Sequence, residues 1–132
     1  MPMIIVLDDS PTRRLALRQG LLALGHHVQC HDSLGKILDT VDARSVDLVL
    51  MALVMDEGNG FDGGATLRAR GFSSVMLLAD GMHATDEIWA QAQGLQGVAP
   101  WPVTQKALQR VIEKALGVRP EQGGGGDGDC SR

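Results

Sequence analysis

Two adjacent carboxylates, Asp8 and Asp9, stand directly after the continuous apolar run Met3–Leu7. Paired acids at the end of a strand suit a hard divalent cation, which takes oxygen ligands from one or two carboxylates plus water. The plainer alternative, favoured because the ligand shell is incomplete, is a pair that caps backbone amides where the next helix begins. A second group of metal-ligating types is His26, His27, Cys30 and His31. Side chains alternate across a strand, so His27 and His31 point one way and Cys30 the other. That arrangement does not converge on a tetrahedral ion. The Gly123–Gly126 run has no strand before it, no helix after it and no lysine, so it is not a phosphate loop. No nucleophile with an adjacent base is readable, and the chain is not expected to be an enzyme.

The elements that must carry these residues alternate along the chain. Met3–Leu7 predicts a strand buried on both faces, and Ser10-Pro11 an N-cap with proline at the first helical position. Leu15 and Leu22 recur at helical spacing up to Gly25, and His27–Cys30 is a short strand. Leu34–Val41 predicts a helix, Val46–Met51 a strand, and Ala52–Gly60 a loop. A weak helix follows near Ala65–Ala69, softened by Gly63-Gly64. Then come a strand at Val75–Leu78, a helix at Thr85–Gln93 closed by Gly94, and a brief strand at Gly97–Ala99. Thr104 caps a last helix with the apolar stripe Leu108, Val111, Ile112, Ala115 and Leu116. This alternation predicts an α/β domain of the flavodoxin-like kind, (βα)5 and doubly wound around a parallel sheet of strand order 2-1-3-4-5. The domain spans 1–117, and the Gly-rich segment 118–132 is a flexible tail. Ligands in such folds sit at the carboxyl ends of the strands, so the residues after Leu7, Met51 and Leu78 matter most.

Bulk properties narrow the function. The 132 residues are 44% hydrophobic and only 3% aromatic, which predicts an aliphatic core. A formal net charge of −4 argues against nucleic acid or an anionic membrane as partner. The two cysteines, Cys30 and Cys130, make no disulfide framework, which points to a reducing, cytoplasmic setting. The N-terminal residues have no basic region and too short an apolar run for a signal peptide or a span.

The spaced features Asp8-Asp9-Ser10, Asp47–Met51, Gly58-Asn59-Gly60-Phe61, Gly94 and Trp101-Pro102 together resemble the bacterial response-regulator receiver family over residues 3–117. The resemblance implies a phosphoryl-accepting aspartate at the end of the third strand, where this chain has Ala52. It implies a Ser or Thr hydroxyl at Ala79, a lysine at Trp101 and an aromatic switch residue at Val98. A methyl group is no nucleophile, and without the hydroxyl and lysine two supports for phosphoryl charge are missing. The implied site is therefore degenerate: Asp8 and Asp9 remain with Ala52, Ala79 and Trp101, binding Mg²⁺ weakly or not at all.

Asp56 stands where the family usually has proline, and Asp80 where it has a small alanine. Either could replace the missing carboxylate, Asp56 better because its loop lies at the pocket mouth. The plainer reading is two solvated acids with no cation nearby. Trp101 either closes the old pocket, faces a partner or fills space left by smaller side chains. Pro102 makes its peptide rigid, and cis if the family pattern holds. Ile88 is expected to pack on the sheet, leaving Trp89 at the outer edge of its helix, either half-buried or in an interface.

The expected function is a pseudo-receiver: a protein–protein interaction and regulatory module that works without phosphorylation. Its expected contact residues are Trp89, Val98, Pro100, Trp101 and Gln105. A DNA-binding segment is not expected after residue 117. A homodimer is compatible with the sequence. Val49–Met55, Asn59-Gly60-Phe61, Thr85–Trp89 and Trp101-Pro102-Val103 further resemble single-domain receivers of type IV pilus twitching motility, which implies a pilus or chemosensory partner. The alternatives are a phosphoreceiver that uses Asp56, or a small-ligand binder on the same fold.

Overall fold

The structure is a computed structural model that describes residues 2–56, 58–81, 84–102 and 104–117; the expected tail 118–132 lies outside them. Five short runs become strands, the central ones apolar and buried from both sides and the edge strand His27–His31 polar and partly exposed. They are β1 (Met3–Leu7), β2 (His27–His31), β3 (Leu48–Ala52), β6 (Val75–Ala79) and β7 (Gly97–Pro100). All pair in parallel in the order β2-β1-β3-β6-β7. This is the flavodoxin-like α/β arrangement expected from the alternation. An unexpected antiparallel ribbon, β4 (Val54–Met55) with β5 (Gly58–Asn59), folds within the segment expected to be a loop.

Alternation along each strand divides the core. Ile4, Val6, Leu48, Leu50, Met76 and Leu78 point to one face, under α1 (Pro11–Ala23) and α5 (Gln105–Leu116). Ile5, Leu7, Val49, Met51, Val75 and Leu77 point to the other, under α2 (Leu34–Thr40), α3 (Gly60–Ala69) and α4 (Ala84–Ala92). Among the described residues no helix is long and apolar enough to cross a membrane.

Caps form where expected: Ser10 Oγ accepts from the Arg13 amide and Thr104 Oγ1 from the Ala107 amide. Other expectations are corrected. The inward face of α1 is Leu17 and Leu21, while Leu15 and Leu22 face solvent. α3 starts five residues earlier than expected, at Gly60, capped by Asn59 Oδ1 on the Asp62 amide. Its glycines Gly60, Gly63 and Gly64 are buried, and their missing side chains let the helix approach Leu77, Met51 and Leu95. In α4 the fully buried residue is Ala90, whereas Ile88 is 67% exposed and does not pack on the sheet. The helix is tied down through Glu87 instead, which accepts from the Val98 amide and pairs with Lys114. The Trp101–Pro102 peptide is trans, not cis.

Candidate functional site

The carboxyl ends of β1, β3, β6 and β7 meet at one edge of the sheet. A pocket of about 240 Å³ opens there, lined by Arg13, Ala52, Ala79, Asp80 and Trp101 among others. Ala52 ends β3 with 1% of its surface exposed, and Ala79 ends β6 with 6%. The residues singled out at these strand ends are thus neighbours, and the strand-end groups facing the pocket at Ala52 and Ala79 are methyls.

Beside this pocket lies Asp8, the sole fully described polar or charged residue that is buried, at 0% exposure. A carboxylate out of water must be paired and hydrogen-bonded. Arg13 supplies the pair from the first turn of α1, donating Nε to Oδ2 at 2.8 Å and Nη2 to Oδ1 at 3.1 Å. This two-pronged geometry is the strong form of a guanidinium–carboxylate contact. The Ser10 amide donates to Oδ1 at 2.9 Å, and Arg14 Nη1 donates to the Asp8 carbonyl at 2.6 Å. The Arg13 guanidinium also lies over the Trp101 ring, 5.0 Å from its centroid, within cation–π range. The hydrogen bonds to Asp8, with further attraction from Asp8, Asp80 and Asp9, raise the Arg13 pKa above its already high ordinary value.

Asp9 is half-buried, and its Oδ2 accepts the Asp56 amide at 2.6 Å. The ribbon turn is therefore held on the acidic pair through the backbone of Asp56, whose own side chain is exposed, as is that of Asp80. Trp101 is half-buried against the α1/α5 side of the core, so it fills space and covers the pocket together.

The response regulator receiver domain family matches residues 4–113 of this chain. The chain belongs to the response regulator receiver family. It is 29% identical over 119 residues to Protein PilH of Pseudomonas aeruginosa, covering 88% of this chain and 98% of that one. Among solved structures it resembles the chemotaxis response regulator CheY4 of Vibrio cholerae, with TM-score 0.78 at 18% identity over 88% of this chain and 99% of that one. A receiver domain from Clostridium thermocellum gives TM-score 0.77 at 23% identity, over 89% and 95% of the two chains. These two likenesses establish the shared fold.

The Mg²⁺ that the receiver family implies does not fit these residues. Both Asp8 oxygens are taken by Arg13, one Asp9 oxygen is held by the Asp56 amide, and the third position is the Ala52 methyl. Octahedral oxygen coordination has little left to build on.

Gln105 is exposed, and its Nε2 donates to the Gly20 carbonyl, tying α5 to α1. Two expectations about individual residues need correction. Val98 is 1% exposed and cannot be a contact residue. The acids at the pocket do have a nearby cation, Arg13, which sequence reasoning missed. A signal for it existed: Arg13 and Arg14 stand in the first turn of a helix with no acid there, where the helix dipole disfavours positive charge. Cations placed there call for an anion outside the helix. Trp89 at 59% exposure and Pro100 remain on the surface.

Proposed function

We propose that this receiver domain is a pseudo-receiver: it regulates a protein partner by direct contact and not through phosphoryl transfer. The observation that carries this reading is the Ala52 methyl at the end of β3, in the pocket where the family accepts phosphorus. Ala79 and Trp101 line the same pocket, so the hydroxyl and lysine that would offset phosphoryl charge are absent from their positions as well. On this reading the domain is not an enzyme and acts in the cytoplasm. The relation to Protein PilH, together with the twitching-motility motifs, supports a partner in a type IV pilus or chemosensory system. The contact surface centres on α4, where Ile88 and Trp89 lie exposed beside each other, and extends to Pro100. Adjacent large apolar side chains in water are characteristic of docking surfaces, and tryptophan is enriched at their energetic centres.

Incubation with a small-molecule phosphodonor and Mg²⁺, read by intact-protein mass, tests the reading: no phosphoryl adduct is expected. Ala52→Asp alone should not reach ordinary receiver rates, because the charge placed on it has no lysine or hydroxyl beside it. A second reading has one observation in its favour. The Asp56 amide on Asp9 brings that residue to the acidic pair, so a phosphoreceiver using Asp56 would yield a stable adduct mapping to it. Such an adduct would replace the pseudo-receiver reading.

A further inference from the structure

We infer that Arg13 is a built-in cation that holds the place of a divalent ion at the acidic pair and closes it to metal. The inference rests on the pseudo-receiver reading but makes a separate claim about what balances the charge.

Asp8 is fully buried, and among the described residues Arg13 is the one cationic group hydrogen-bonded to its carboxylate, while Arg14 reaches its backbone carbonyl. A buried carboxylate that stays ionised needs a positive partner or several hydrogen bonds, and the alternative is to take up a proton. The guanidinium is supplied from the chain itself, five residues on, across the Ser10-Pro11 cap. It is fixed from its other side by the Trp101 ring, and the Asp9 and Asp80 carboxylates add to the field that holds it. Arg14 ties the same turn to the Asp8 carbonyl, so both arginines join the first turn of α1 to the strand end. A divalent ion would have to displace the guanidinium from both Asp8 oxygens, break its contact with Trp101, and then sit beside the positive charge it had expelled. Trp101, at the family's lysine position, thus acquires a definite role: it provides the ring that retains Arg13.

Replacing Arg13 with an apolar side chain of similar length should reverse the situation. The Asp8 carboxylate would then lose its direct counter-charge, with Arg14 left only at the backbone carbonyl, and a cation from solution would be an available remedy. In chelator-treated protein titrated with Mn²⁺ by calorimetry, the wild type should show no saturable binding at low millimolar concentration. Arg13→Met should gain at least about tenfold in affinity, and its melting temperature should rise with Mn²⁺, because a ligand that binds only the native state stabilises it. Arg13→Lys keeps a charge at the position and should gain nothing. Trp101 emission, followed in a Trp89→Phe background, gives a second readout at the site. If Arg13→Met does not fold without metal, recovery of structure on adding Mn²⁺ supports the inference, and failure to recover overturns it. Saturable Mn²⁺ binding by the wild type, or a folded Arg13→Met that binds no better than wild type, also overturns it. A phosphoryl adduct on the wild type would instead sink the pseudo-receiver reading while leaving these titrations to stand on their own.

Discussion

Arg13→Met should be among the most costly single changes outside the apolar core, and its cost can be worked from the Asp8 contact. Breaking a fully buried ion pair by removing one partner costs about 3–5 kcal/mol, whereas an exposed pair is worth roughly 0–1 kcal/mol. Here the two ends differ: the Asp8 side chain is 0% exposed and that of Arg13 is 38% exposed. Solvent therefore screens the cation but not the anion, which places the loss near 2–3 kcal/mol. Loss of the guanidinium–Trp101 contact adds about 0.5–1 kcal/mol, for a sum of about 3. In chelator, with a urea slope of about 1–3 kcal/mol per molar, the unfolding midpoint should fall by about 1–3 M. The decisive comparison is a double-mutant cycle with Asp8→Asn. The amide keeps an acceptor for the Ser10 N–H but carries no charge, so Arg13→Met should cost far less once Asp8 is neutral. A coupling energy of about 2 kcal/mol is expected. A coupling below about 0.5 kcal/mol would refute the argument, because the guanidinium would then not be what keeps the buried carboxylate tolerable.

Four further predictions address the rest of the fold. In Gly60→Ala the new Cβ would lie 2.9 Å from the Ala52 carbonyl oxygen and 3.1 Å from Leu53 Cα, both backbone. It should cost about 2 kcal/mol or more by urea unfolding. Gly63→Ala presses only on the flexible end of Met51, meets Leu34 Cδ2 at an ordinary 3.7 Å and gains helix propensity, so it should stay within about 0.5 kcal/mol of wild type. Burial lowers the pKa of both His26 and His31 below the ordinary 6.5, and His26 Nδ1 is buried with no hydrogen-bond partner among the described residues. Above 6.5 both states carry neutral rings; as pH falls through 6.5 the unfolded chain binds protons first, so this contribution to stability is lost on acidification. Urea midpoints should therefore drop between about pH 7.5 and about pH 5.5, and His26→Gln should flatten the trend; an unchanged slope would count against it. Trp89→Ala should change stability by less than about 1 kcal/mol, since the ring is mostly in water, yet abolish recovery of the partner in pull-downs from the native cell. Unfolding of this variant would show the ring to be structural.

What was legible in the sequence and what was not divide along physical lines. Strands buried on both faces announce themselves as unbroken apolar runs, so the central strands and the sheet order followed from alternation, while the roles of the positions held by Ala52, Ala79 and Trp101 came from the resemblance to the receiver family. The helices were less clear where two apolar stripes interleave. In α1, Leu15 and Leu22 form one stripe and Leu17 and Leu21 another, and packing against the sheet and α5 makes the second face inward. In α4 the rule that large apolar residues point inward fails. The space above β6 and β7 is shallow enough for Ala90 and is bridged by the Glu87 carboxylate, which leaves Ile88 and Trp89 outside. Val98 illustrates the reverse error: a residue assigned to the surface by resemblance is sealed by the helix that Glu87 anchors.

Arg13 was hidden for a different reason. Acid and base pairs are sought at helical spacings within one helix, but Asp8 belongs to a strand and Arg13 to the helix that follows. The turn at Ser10-Pro11 is what folds one back on the other. Two facts together could have exposed the pair: an aspartate at the buried end of an apolar strand needs a cation, and arginines in a first helical turn need an anion. Each demand is unfavourable alone, and at this position one contact meets both. An acidic pair that once read as a damaged metal site is thereby a completed charge network, and its integrity depends on a residue in neither of the strands that end in alanine.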